Sequence, residues 1–179
     1  MVRRLAWPLL ATFVVATGCG PRNHAGVEST FELGSHRVHV LAPSGWELAD
    51  QGAQKRFRKG ESQIVLVDLE PETRRLAERD RERLGDLDQF AEWGLAALAG
   101  PHHDQRREVR SRRTVTIDNH EAMDIETWNR LDHGWPQRLL FLRVDDDLFA
   151  LHTPGLADTD TVKAFDAILG SLHFTAPPA

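Results

Sequence analysis

Two short runs in this chain are apolar at every position or nearly so: Ile64-Val65-Leu66-Val67 and Leu139-Leu140-Phe141-Leu142-Arg143-Val144. Side chains along a β-strand point alternately to opposite faces, so a run that is apolar at both parities must be covered on both sides. The chain therefore has to build a sheet and also supply cover for each of its faces.

The rest of the pattern provides both. Phe31 and Leu33 alternate, Val38, Val40 and Leu41 follow, and Pro43-Ser44-Gly45-Trp46 marks a turn. Arg56-Phe57-Arg58 then Lys59-Gly60-Glu61-Ser62 reads as a strand entering a hairpin. Residues 72–83 are so charged that only Leu76 and Ala77 can be buried, which fits a solvated helix or a loop. A clearer helix follows. Asp86 and Gln89 have capping-box spacing, Leu87, Phe90, Ala91, Leu95 and Leu98 form one stripe, and Gly100-Pro101 stops the chain.

Residues 106–117 alternate again, and Asp118-Asn119-His120-Glu121 turns them back. Keeping like faces together pairs Ile117 with Met123 and Val115 with Ile125, which sets Arg112 opposite Trp128 as a stacked pair. Asp145-Asp146-Asp147 turns the second apolar run into Leu148-Phe149-Ala150-Leu151. A last helix, capped at Thr159 or Asp160, carries Val162, Phe165, Ile168 and Leu169 on one stripe and closes at Gly170. Leu172 and Phe174 begin a final strand. The order β-β-β-β, helix, β-β-β-β, helix, β implies an α+β domain, an antiparallel sheet flanked by helices.

The first 18 residues stand apart from this pattern. Arg3 and Arg4 precede an uncharged stretch over 5–17, too short to span a bilayer, which needs about 20 residues. Such a segment reads as a secretory signal. It ends Ala16-Thr17-Gly18-Cys19, which resembles the lipobox of bacterial lipoproteins, with Ala16 where that family usually carries Leu. Cys19 is the only cysteine, so the exported domain is expected to form no internal disulfide and no thiolate metal site. The resemblance implies cleavage before Cys19, acylation of it, and a domain held at the cell or outer membrane. The expected layout is a signal at 1–18, lipidated Cys19 with a polar tether over 19–29, one domain over 30–175 and a tail over 176–179. Without Arg3 and Arg4 the mature chain has 20 basic against 27 acidic residues, a net charge of −7. That balance argues against nucleic acid as a partner.

The Pro43-Ser44-Gly45-Trp46 turn after the first hairpin, the DLDQFAEWGLAAL helix at 86–98 and the ending FDAILGSLHF at 165–174 resemble the PsbP-like fold. That fold is shared by the photosystem II extrinsic protein and many small bacterial lipoproteins. The resemblance covers residues 29–175 and implies an α/β/α sandwich, with no family-wide catalytic residues to carry over.

The residues themselves point to no chemistry. His36 and His39 fall on opposite strand faces, His102-His103-Asp104 has no third ligand at a supporting spacing, and Asp145-Asp146-Asp147 lacks the Gly and distal Glu of a calcium loop. There is no Gly-rich phosphate loop, G-x-S-x-G or H-E-x-x-H. No metal, cofactor or catalytic residue is therefore expected. The expected function is a non-catalytic protein-binding or assembly module of the cell envelope. Its partner is an envelope protein, met by Arg106, Arg110, Arg112 and Trp128 on the open face of the hairpin. The alternative is a small-ligand carrier or enzyme whose site only the fold assembles. A deep pocket of converging polar groups would favour the alternative, a broad exposed apolar patch the binding module.

Overall fold

The structure, a computed structural model, describes residues 26–99, 107–130 and 134–176. Ten strands and four helices lie within them. The strands are β1 (Val27–Leu33), β2 (His36–Ala42), β3 (Glu47–Gln51), β4 (Gln54–Lys59), β5 (Ser62–Asp68), β6 (Arg107–Ile117), β7 (His120–Asn129), β8 (Trp135–Val144), β9 (Asp147–His152) and β10 (His173–Thr175). The helices are α1 (Glu70–Thr73), α2 (Glu78–Arg83), α3 (Leu87–Ala99) and α4 (Thr159–Ser171).

The strands divide between two antiparallel sheets. Seven form the main sheet in the order β3-β4-β5-β9-β8-β7-β6, and β1-β2-β10 form a small one. The two apolar runs lie on β5 and β8, on either side of β9, and so are covered from both faces as their sequence requires. Successive residues of β8 serve opposite layers. Leu139 and Phe141 pack with Phe90, Ala91 and Leu95 of α3, while Leu140 and Leu142 join Phe165, Ile168 and Leu169 of α4. The small sheet adds Phe31, Val38 and Phe174 to the α4 layer. The result is an α/β/α sandwich.

Local chemistry sets the element ends. Asp86 Oδ1 accepts from Gln89 N at the start of α3 (2.9 Å), the forward half of the capping pattern. Gln89 itself accepts from Arg83. For α4 the N-cap is Asp158, which accepts from Thr161 N at 2.7 Å, one residue before the expected Thr159 and two before Asp160. β1 begins at Val27, inside the stretch expected as tether, because Val27, Glu28 and Ser29 pair with Ala42, Leu41 and Val40.

The β6–β7 register differs from the expected one. Ile117 pairs with His120, Val115 with Ala122 and Arg112 with Ile125. Asp118 and Asn119 both take positive φ (48° and 67°), so the chain reverses in two residues where a longer turn was expected. A bulge between Val109 and Ser111 then shifts the ladder once more and puts Glu108 opposite Trp128. The Asp118 carboxylate also accepts from Phe174 N (2.7 Å) and bonds His173 Nδ1 (2.8 Å), tying this turn to β10.

Candidate functional site

The best candidate lies where the bulged end of the β6–β7 hairpin meets the first turns of α4. Arg110 is the extra residue of the bulge, and its guanidinium sits 4.3 Å from the centroid of the Trp128 ring. Arg112, the expected stacking partner, is elsewhere. Opposite Ile125 it lies on the α3 side, where it donates to Glu92 (2.8 Å) and faces Asp88. Arg106 and Cys19 lie outside the described residues. Of the four hairpin residues expected to share a face, the structure brings Arg110 and Trp128 together and sends Arg112 away.

Beneath this stack is a polar cluster that the sequence pattern did not single out. Asp124, 2% exposed, accepts from Arg113 (2.7 and 2.9 Å) and from Arg138 (2.9 and 3.0 Å). Arg138 reaches on to Asp166 of α4 and covers the Phe165 ring at 4.8 Å. Burial alone would raise the Asp124 carboxyl; the hydrogen bonds and charges of Arg138 and Arg113 outweigh it and hold the group below the ordinary carboxylate range. Asp124 lies between apolar Met123 and Ile125, so local alternation puts it on the strand's other face, and α4 packing over that face buries it.

A cleft of about 410 Å³ opens beside the stack. Arg110, Arg138 and Lys163 supply its cations, and Pro136, Ala157 and Val162 its apolar wall. The Ala157 N–H donates to Pro136 O (3.0 Å) and so fixes the segment leading into α4 against β8. A larger cleft, about 700 Å³, lies between the β1–β2 hairpin and the β3–β4 turn. Its charges are mostly matched internally. Buried Lys55 bonds Asp50 at 2.6 Å, Arg74 pairs with Glu70, and Asp147 accepts from Ser35 and bonds His36. In the smaller cleft Arg110 and Lys163 have no carboxylate partner among the described residues, which sets it apart chemically.

No family model and no curated protein sequence matches the chain. Solved structures do. The solution structure of cyanobacterial PsbP (CyanoP) from Synechocystis sp. PCC 6803 superposes with a TM-score of 0.56, covering 89% of this chain and 99% of that one at 16% identity. This is a PsbP-like fold. A Pseudomonas aeruginosa protein of unknown function also matches, with a TM-score of 0.42, 15% identity, and 86% and 100% coverage. For this PsbP-like domain the likeness establishes architecture: two antiparallel sheets, helices on both faces, and a last helix running into a final strand. Among the described residues no helix is long and apolar enough to cross a membrane.

Proposed function

We propose that the protein is a lipid-anchored module of the cell envelope that binds a protein partner and performs no chemistry itself. The observation that carries this reading is the Arg110–Trp128 stack at the end of an unpaired edge. β6 terminates the main sheet, and no described strand pairs with its outer side. Arg and Trp are the residue types most enriched among those that dominate interface energetics. Stacking holds Arg110 in place while leaving its N–H groups free for a partner.

The direction of the chain supports the same reading. The Leu41 N–H donates to Ser171 Oγ at 2.9 Å, so the C-terminal end of α4 lies beside β2 and the start of β1. The Arg110–Trp128 end lies at the opposite, N-terminal end of that helix, about 20 Å away for 13 residues. With Cys19 acylated, a chain leaving the membrane would enter the domain at one end of α4 and leave the stack facing away from the bilayer. The anchor is tested by Cys19→Ser, expected to abolish fatty-acid labelling and membrane pelleting. The face is tested by cross-linking and capture from envelope fractions. Arg110→Glu with Trp128→Ala should lose a partner that the wild-type protein retains, with the fold retained. Capture by the double variant at the wild-type level would discard this face.

The cleft beside the stack favours one version of the carrier alternative, in which the site takes a small molecule. It has the volume of a ligand site but a mixed charged and apolar lining.

A further inference from the structure

Resting on that reading, we propose that the cleft between the β6–β8 end and α4 receives a carboxylate of the partner polypeptide, carried beside an apolar side chain. The first argument is charge. Arg110 and Lys163 both line the cleft, and neither has an ion-pair partner among the described residues. Arg138, the third cation, is held and neutralised by Asp124 and Asp166, which leaves recognition to Arg110 and Lys163. Glu126 is the opposing carboxylate among the lining residues and is exposed. Its presence lowers the net charge, so a singly charged carboxylate suits the cleft better than a doubly charged phosphate.

The second argument is shape and surface. About 410 Å³ lies within the usual range for ligand clefts, roughly 300–1,000 Å³. Pro136, Ala157 and Val162 give it an apolar wall that a bare inorganic anion would not cover. Val162 belongs to the apolar stripe of α4 yet is only half-buried, unlike Phe165, Ile168 and Leu169, which are buried. The third argument is geometry. At the start of α4 the Thr161 amide is already engaged by the Asp158 carboxylate, and recognition is assigned to the two side-chain cations. A guanidinium stacked on an indole presents its planar fork at its edge, the shape that accepts a carboxylate through two hydrogen bonds. Free Lys163, on the helix side, can close on the same group as a point charge.

The experiment uses the 15N-labelled full chain, as processed by its host, titrated with N-acetyl-leucine and with its neutral amide. The free acid should shift the backbone amides of Val162 and Lys163 and the indole N–H of Trp128, and bind at least about fivefold more tightly than the amide. Arg110→Gln with Lys163→Gln should remove that preference. Absence of shifts at these residues, or equal binding of acid and amide, overturns the proposal. Partner capture separates the two ideas. If Arg110→Glu with Trp128→Ala still captures the partner, the docking face is wrong and the partner's carboxylate falls with it, whatever acid preference the wild-type cleft shows. If the face variant loses the partner but Lys163→Gln keeps it, with acid and amide bound equally, the face stands and the cleft proposal falls.

Discussion

Gly94 lies at the middle of α3 directly against the ring of Phe141 on β8, so closely that a methyl group at this position would overlap the ring. Glycine inside a helix costs about 0.5–1 kcal/mol relative to alanine, so its replacement would ordinarily stabilise. Here the gain is outweighed. Gly94→Ala should force α3 off the sheet or Phe141 out of its rotamer and destabilise the protein by about 1–3 kcal/mol, read as a lower urea midpoint. A higher midpoint would mean that α3 does not pack at this distance.

Phe90 and Phe165 occupy equivalent places on the two covering layers, each fully buried. Phe90 touches Phe141 edge-on at 5.6 Å between centroids, and Phe165 lies under Arg138. Either residue changed to Ala should cost about 3–5 kcal/mol in unfolding free energy. Losses below about 1 kcal/mol at both would contradict a sheet covered on both faces.

Asp124 ties three elements together through Arg113 and Arg138, and Asp124→Asn leaves two guanidiniums short of their anion. Removing one partner of a buried pair costs about 3–5 kcal/mol, and a loss of that size is expected at neutral pH. The carboxyl is held below its ordinary range in the folded state, so its contribution is complete above the unfolded value near 4 and fades as pH falls through the lower folded value. The gap between wild type and Asp124→Asn should therefore narrow on acidification below about pH 4. A gap that stays constant down to pH 2 would show that the charge of Asp124 does not contribute.

His152, at the end of β9, also acts on the acid side of neutrality, but in the opposite direction of charge. Burial first, then the charges of Arg107 and Arg56, push its imidazole down to about 4. The unfolded chain takes up this proton near pH 6.5 and the folded one does not, so stability falls as pH drops from about 6.5 to 4 and levels off below. Replacing His152 with Gln should flatten that part of the profile by up to about 3 kcal/mol, measured by urea unfolding at pH 7 and pH 4.5. An unchanged slope would mean that the ring is protonated in the folded protein.

Arg112→Glu addresses the residue that the register moved. It would set a third carboxylate beside Asp88 and Glu92, so it should loosen α3 by about 0.5–1 kcal/mol. It should also leave partner capture at the wild-type level, in contrast to the Arg110 and Trp128 changes.

The sequence by itself determined most of the elements and the need for two covering layers; it missed β3, an edge strand with no fully buried residue, and the division of the strands into two sheets. Runs such as Ile64–Val67 and the stripe from Leu87 to Leu98 record local periodicity, and periodicity follows from backbone geometry that each residue shares with its near neighbours. The PsbP-like layout was legible for that reason. Which residues meet across strands was decided only by the tertiary structure. Two positive-φ residues, Asp118 and Asn119, shortened one turn, and a bulge at Arg110 shifted the ladder again; together they exchanged Arg112 for Arg110 beside Trp128. A one-residue change of register reverses every face, and a strand's own pattern cannot report it when both parities carry charge, as in residues 106–113. The buried Asp124 and the cleft beside Lys163 depend further on α4, some 35 residues along the chain, closing over β7 and β8. Contacts of that range leave no trace in local spacing, because the residues that make them are adjacent only once the chain has folded.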